Sequence, residues 1–287
     1  MIFIANTNLL NPTNDYVFGR IFGYKGNENI TKGLLESITN EKYQSLEIAS
    51  SVPTIKDLQD DKMGVLDIKA TADDNSIFNI EMQVAKNVNI ADRILWYWAT
   101  LYSKSIKEGS NYIKTKKTIG ILIADFELTN IKKIHKFHTS WHIREDEFSE
   151  IILTEKLEIH IIELKKLEVN KNQILKQRNL LNWLKFILNP IEMEDSQMDE
   201  NIKEAKKVLE QISQDEKEQE KARLREKYIW EINSSRYEGY ETGKAEGIVS
   251  EKIKIAKKML AEKIDIKIIQ TVTELTEEEI EQLKKKL

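Results

Sequence analysis

Apolar positions along this chain follow two rhythms. Up to about Pro190, blocks that alternate apolar and polar residues are interleaved with stretches whose apolar residues recur every three or four positions, the spacings of strands and helices respectively. Ile30, Leu34, Leu35 and Ile38 share one face of a helix predicted over Asn29 to Thr39. A strand is expected from Leu46 to Ile55, ending near Pro53. The clearest strands are Met63 to Ala72 and Ile77 to Val84. Ala91 to Lys107 reads as an amphipathic helix rich in Trp and Tyr, and Thr118 to Ala124 as a buried strand with an unbroken apolar run. Further strands are predicted at Ile134 to Ile143 and Leu157 to Leu164, and a closing helix at Asn172 to Leu188. The alternation is that of an α/β fold.

After Pro190 the pattern changes. Glu and Lys dominate, and no proline follows. Ser196 to Trp230 reads as one long solvated helix with opposite charges three or four apart. Gly239, Gly243 and Gly247 follow at intervals of four. A glycine costs a helix roughly 1 kcal/mol, so this segment is expected to be only marginally helical. Ile248 to Leu287 is amphipathic again, and Thr276 before Glu277, Glu278 and Glu279 has the form of a capping box. The expected organisation is a domain over residues 1–190 and a charged helical tail over 191–287 that serves oligomerisation or partner binding.

Composition narrows the classes. The 287 residues suffice for one large domain, or a domain plus an appendage, and 40% are hydrophobic, so a core is expected. The formal net charge is -4, so positive surface for a nucleic acid has to be local. There is no cysteine, which excludes disulfides and thiolate zinc sites. The start MIFIANTNLL lacks the basic stretch and apolar run of a signal peptide. No apolar segment approaches the roughly 20 residues of a membrane span. A cytoplasmic location is the expectation.

Chemistry concentrates on the hairpin. Successive strand side chains face opposite sides, so Leu66, Ile68, Ala70 and Ala72 lie opposite Asp67, Lys69 and Thr71. On the second strand Phe78, Ile80, Met82 and Val84 lie opposite Asn79, Glu81 and Gln83. A three-residue turn at Asp73-Asp74-Asn75, with Asn75 left-handed, sets Asp67 across from Glu81. Their Cβ atoms would then stand roughly 5 Å apart. Carboxylates that close repel unless a cation lies between them, and hard oxygen ligands suit magnesium. Gln83, one step along the same face, could orient a metal-bound water. The alternative is a two-residue turn, which separates the carboxylates, or a hairpin whose polar residues simply face solvent.

Asp67 followed by Glu81-Met82-Gln83 resembles the PD-(D/E)xK nuclease signature, with Gln in place of the final Lys. More specifically, the chain resembles the recombination-promoting nuclease/putative transposase family of bacteria. The resemblance rests on Asn14-Asp-Tyr-Val-Phe-Gly-Arg-Ile-Phe-Gly23, Lys62-Met-Gly-Val-Leu-Asp-Ile68 and Phe78-Asn-Ile-Glu-Met-Gln83. It continues through Arg93 with Trp96-Tyr97, Gly109-Ser-Asn-Tyr112, Leu157 to Lys165, and the glycine-spaced Tyr237 to Gly247. It implies a restriction-endonuclease-like mixed sheet flanked by helices, with a helical C-terminal extension. It also implies a metal-dependent DNA endonuclease, a hydrolase of phosphodiester bonds active in DNA recombination or on mobile or foreign DNA in the bacterial cytosol and nucleoid. Asp67, Glu81 and the Met82 backbone carbonyl would be ligands of Mg2+, for which Mn2+ could substitute. Gln83 would stand in the lysine position, without its charge. Glu36 resembles the extra acidic residue of some members. Lys62, Lys69, Arg93 and Tyr97 would contact DNA or support the site, and the partners would be DNA and a second copy of the chain through its tail.

Other groupings are weaker. Glu163-Leu164-Lys165 has the E-x-K form, but the nearest acidic candidates, Asp146 and Glu150, fall in an expected loop, so Glu163 reads as structural or as a support to the site. His135, His138 and His142 suggest zinc, yet lie in strand and loop without an obvious fourth ligand. Lys62, Lys69, Lys114, Lys116 and Lys117 could supply a basic surface. The loss of lysine at position 83 and the acidic balance leave a second reading open: a catalytically weakened nuclease fold that binds nucleic acid or protein.

Overall fold

The computed structural model describes residues 9–49, 67–86, 89–167 and 177–285. Helix α1 (Asp15–Phe22) starts where the Asn14 side chain accepts hydrogen bonds from the Tyr16 and Val17 amides. The apolar spacing alone assigns no helix there. Helix α2 (Glu28–Thr39) ends at Asn40, left-handed at φ 63°. Strands β1 (Leu46–Ile48), β2 (Asp67–Ala72) and β3 (Ile77–Gln83) follow. Then come helix α3 (Ile90–Lys104) and strands β4 (Thr118–Ala124), β5 (His138–Trp141) and β6 (Leu157–Glu163). Helices α4 (Arg178–Leu188) and α5 (Glu200–Gln214) precede α6 (Glu216–Ala261), α7 (Ile266–Thr273) and α8 (Glu277–Lys284).

The strands form one mixed six-stranded sheet in the order β1-β2-β3-β4-β6-β5. The first three are antiparallel neighbours, β3, β4 and β6 run parallel, and β5 closes the edge antiparallel to β6. Helices flank both faces, the restriction-endonuclease-like arrangement. On one face α3 lays Ile90 and Ile94 over Leu122, Ala124, Ile159 and Ile161. On the other, α1 and α2 pack with α4 and α5, and Phe22 and Trp183 meet edge to face at 5.7 Å. The helices cross closely because residue 33 is glycine: a Cβ there would lie 2.7 Å from the Asn201 amide nitrogen and 3.0 Å from the Trp183 ring.

Several predicted elements differ in extent. The parts of the expected strands at 50–66, the Lys62 position, and the start of the Asn172 helix lie outside the described residues. β5 is shorter than Ile134 to Ile143, because the Ile134 amide bonds back to the Ile131 carbonyl at 2.9 Å and makes a turn instead. The expected single helix from Ser196 to Trp230 is broken at Asp215. That residue is extended and accepts hydrogen bonds from the Lys217 and Glu218 amides, so it starts a new helix. The glycine-spaced segment is helical throughout, lying inside α6, rather than marginal.

The chain divides into compact units between Lys227 and Tyr228. The change of composition at Pro190 therefore precedes the structural division, since Ile202, Ala205 and Leu209 of α5 are buried in the first unit. Charged contacts tie the first turns of α6 to α1 within that unit. Arg225 makes a two-pronged ion pair with Asp15, both nearly buried, at 2.5 to 3.0 Å. Glu218 accepts from Tyr16 at 2.7 Å and from Arg20 at 2.6 Å. The second unit has its own small core of Ala256, Ile269 and Ile280. α8 opens with the reciprocal Thr276–Glu279 capping box.

A buried polar chain crosses β5 and β6. His160 bonds Glu158 at 2.7 Å and His138 at 2.8 Å, and Gln177 donates to His138 Nδ1 at 2.9 Å. Burial pushes the Glu158 carboxyl up, but hydrogen bonds from His160 and Lys117 outweigh it and hold it at about 2. An ionised Glu158 accepts a hydrogen bond from His160 Nε2, which leaves His160 Nδ1 to accept from His138 Nε2. Burial, aided by His160, pushes His138 down to about 4, against the Gln177 bond.

Two outcomes are expected. Arg225→Ala leaves Asp15 buried and unpaired, and urea unfolding should show a loss of about 3–5 kcal/mol. His138 binds its proton less readily folded than unfolded, so stability should fall as pH drops from 6.5 towards about 4. His138→Gln, which can still donate to His160, should flatten that part of the stability curve.

Candidate active site

The hairpin closes as a three-residue loop. The Ala72 amide bonds the Ser76 carbonyl at 3.0 Å, the Asn75 amide bonds Ala72, and Asn75 is left-handed at φ 67°. Asp73 and Asp74 fix the loop by accepting from the Gln44 and Ser76 amides. The resulting register pairs Asp67 with Glu81, Ile68 with Ile80 and Lys69 with Asn79. The two carboxylates therefore face each other across adjacent strands.

Their surroundings differ from a solvent-facing hairpin. Ile68, Ala70 and Ala72 are buried while Lys69 is exposed, as alternation requires. On β3 both faces are covered, and Asn79 and Glu81 are as buried as their apolar neighbours. The cover over Glu81 is α3, whose Ile90 and Ile94 anchor it on the sheet. The same helix turns Arg93 inwards. Arg93 Nη2 donates to Glu81 Oε1 and, at 2.7 Å, to Gln83 Oε1. Gln83 is oriented from its other end, where Nε2 donates to the Ala85 carbonyl at 3.0 Å.

Burial pushes Glu81 up to about 7, over the opposing pull of Arg93, and the charges of Asp67 and Asp15 add to the rise. An ion pair with Arg93 by itself would lower it. Removal from water outweighs the pair because Glu81 is only 1% exposed. Tyr97, one turn beyond Arg93, is also raised, by burial and then by the Glu81 charge. Lys69 Nζ stands 3.4 Å from Asp67 Oδ2.

The donors can be tested for a divalent cation. Glu81 Oε2 is buried and has no hydrogen-bond partner among the described residues. Gln83 gives its carbonyl to the Asp125 amide on the β4 side. Backbone polar groups alternate between flanking strands, so the Met82 carbonyl faces the β2 side, where Asp67 stands. Two carboxylates and a carbonyl, all oxygen, fit magnesium, which commonly takes one or two protein carboxylates and completes its shell with water and phosphate. Among the described residues no three His, Asp or Glu side chains cluster closely enough to hold a metal by themselves.

The structure thus gathers Asp67, Glu81, Gln83, Lys69, Arg93 and Tyr97. Glu36 is engaged elsewhere: it pairs with Lys42 at 2.5 Å and accepts from the Tyr43 amide. Glu163 is a buried structural group, bonded to Lys166 and the Leu128 amide. The polar chain through His138 is held by Glu158 and Gln177 and joins no metal cluster among the described residues. Lys114, Lys116 and Lys117 line a surface hollow at the hairpin-loop end of the sheet, with Asp74 and Lys156. Asp15 is a neighbour that sequence reasoning did not single out. It lies in the quoted Asn14–Gly23 block, but its partner Arg225 is 210 positions away, and no local pattern signals that pairing.

A mixed sheet whose antiparallel hairpin sets a carboxylate opposite an E-x-Q, beneath a covering helix, belongs to the PD-(D/E)xK nuclease class. Residues 12–238 match the model of the PD-(D/E)XK nuclease family transposase, and the chain belongs to that family. Residues 250–285 match the C-terminal HTH domain of the Rpn/YhgA-like nuclease family. No curated protein and no solved structure matches the chain. No helix among the described residues is long and apolar enough to cross a membrane.

The register itself can be checked. Asn75→Val places a β-branched residue at positive φ and should cost about 1–2 kcal/mol, with Asn75→Gly close to wild type in thermal melting.

Proposed function

We propose that the chain is a divalent-cation-dependent DNA endonuclease that hydrolyses phosphodiester bonds with little sequence preference, in recombination or in the processing of mobile or foreign DNA. The observation that carries this reading is the Asp67–Glu81 register, with an unpartnered Glu81 Oε2 beneath α3. Mg2+ or Mn2+ held by Asp67, Glu81 and the Met82 carbonyl would supply Lewis acidity and an activated water. Asp67 and Glu81 would fix the position of that centre on two strands of one hairpin, which suits the tolerance of about 0.5 Å that a catalytic constellation demands. Gln83 holds a hydrogen-bonding oxygen one step along the same face. Lys69, 3.4 Å from Asp67, and Tyr97, near enough to feel the Glu81 charge, would be the groups to meet a phosphate backbone. Nicking of supercoiled plasmid tests this: it should require Mg2+ or Mn2+, and Asp67→Ala and Glu81→Ala should each abolish it. Absence of nicking by the wild type under either metal would favour the fold as a binding module.

The tail fits self-association better than major-groove reading. α8 begins with Glu277, Glu278 and Glu279 and continues to Glu281, charges that DNA phosphates repel at the place where a recognition helix would meet base edges. α7 exposes Ile268 and Val272, four apart on one face. A homodimer through this unit would bring two cleavage centres to one DNA. Sedimentation should show a dimer for the full chain and a monomer for Ile268→Glu/Val272→Glu, with a dimer surviving both changes counting against the tail.

A further inference from the structure

The lysine position of this site holds a residue without charge, yet a cation is present: it comes from α3. We infer that Arg93 is the catalytic cation of the site, held by Glu81 and Gln83 in the cation-free protein and turned to the scissile phosphate once Glu81 is engaged by a divalent ion. The inference rests on the nuclease reading above and deepens it by assigning the charge that Gln83 cannot supply.

Three observations carry it. First, one guanidinium nitrogen, Nη2, spans Glu81 Oε1 and Gln83 Oε1. Arg93 therefore occupies the position a cation would take beside the Glu81 carboxylate. Second, the clamp is incomplete. Arg93 Nε and Glu81 Oε2 are both buried without hydrogen-bond partners among the described residues. A guanidinium that matched the carboxylate fully would satisfy both oxygens in the two-pronged form, as Arg225 does with Asp15. Arg93 thus leaves one carboxylate oxygen available and keeps unspent donors of its own. Its side chain is 22% exposed, against 1% for Glu81, so the guanidinium has a way out and the carboxylate does not.

Third, Gln83 is what admits the arginine. Its amide is oriented by the Ala85 carbonyl so that the oxygen faces Arg93. A lysine at 83 would set an ammonium against the guanidinium, and the two cations would compete for one buried carboxylate. Gln83 and Arg93 are therefore a coupled pair that relocates one positive charge from β3 to the first turn of α3. In phosphodiester hydrolysis, negative charge builds on the non-bridging oxygens as water adds to phosphorus and the P–O bond to the leaving group breaks. A guanidinium presents paired donors to such oxygens, and it stays protonated at every working pH. Release of Arg93 also frees Gln83 Oε1 to accept a hydrogen bond from the attacking water.

The test combines Mn2+ binding by calorimetry with plasmid nicking, on the full chain. Arg93→Gln keeps a neutral donor beside Glu81, and Arg93→Lys keeps the charge without the fork; melting curves establish that both fold. Expected for Arg93→Gln is Mn2+ binding roughly tenfold tighter in the absence of DNA, because a competing cation is gone. Nicking should nonetheless fall about 10²–10³-fold. Gln83→Lys in the Arg93→Gln background should restore much of the lost nicking, while Gln83→Lys alone should weaken Mn2+ binding. The inference is overturned if Arg93→Gln binds Mn2+ no more tightly than wild type, or if Gln83→Lys gives no rescue; Arg93 would then only position Glu81. Wild-type Mn2+ binding unaffected by Asp67→Ala would overturn the nuclease reading and this inference together.

Discussion

Everything at this site depends on the pairing register of one hairpin. A strand shows alternate faces at each step, so a slip of one residue would send Asp67 to the core and Ile68 to the cleft. The register is held at both ends. The loop fits three residues because Asn75 accepts a left-handed backbone and the Asp74 side chain caps the Ser76 amide. Along the strands, Ile68, Ala70 and Ala72 have to share a face with Phe78, Ile80 and Met82 to be buried. Hydrophobic burial thereby positions two carboxylates that would otherwise repel each other.

The second constraint is the helix laid across that face. Burying Glu81 under α3 raises its affinity for a proton, and the structure offsets the cost with a single arginine rather than with a full set of hydrogen bonds. Three other buried carboxylates of the unit have both oxygens engaged. Asp15 receives two prongs from Arg225, Glu163 receives Lys166 and a backbone amide, and Glu158 receives His160 and Lys117. The under-satisfied carboxylate sits where the hairpin brings a second carboxylate opposite. Incomplete satisfaction of a buried charge is costly, and at Glu81 it falls where a cation between the two carboxylates would relieve it.

The first turns of α6 add support from a distance. Their contacts with α1, through Glu218 and Arg225, hold Asp15, whose charge is felt at Glu81. Charged helix surface that looks merely solvated in sequence is in this stretch part of the frame around the Asp67–Glu81 pair. Only beyond Lys227 does the chain form a separate unit, with a core of its own.

The alternation of Ile68, Ala70 and Ala72 with Asp67, Lys69 and Thr71, the turn residues of the loop, the unbroken apolar run of β4 and the capping box of α8 were all readable in the sequence, because each is a local rule linking residues a few positions apart. These rules give the α/β order of elements and offer Asp67 opposite Glu81 as one of two turn readings, between which the observed register decides. The sequence did not reveal that the Asn79–Glu81 face is buried, that Arg93 reaches Glu81 and Gln83, that Glu36 is taken by Lys42, or that Arg225 closes on Asp15. Those facts follow from how a helix crosses a sheet and which distant segments share a face. Periodicity tells which side of an element is apolar, but not what will cover its polar side. Only the packed chain decides which buried charges meet and which one is left with an oxygen to spare.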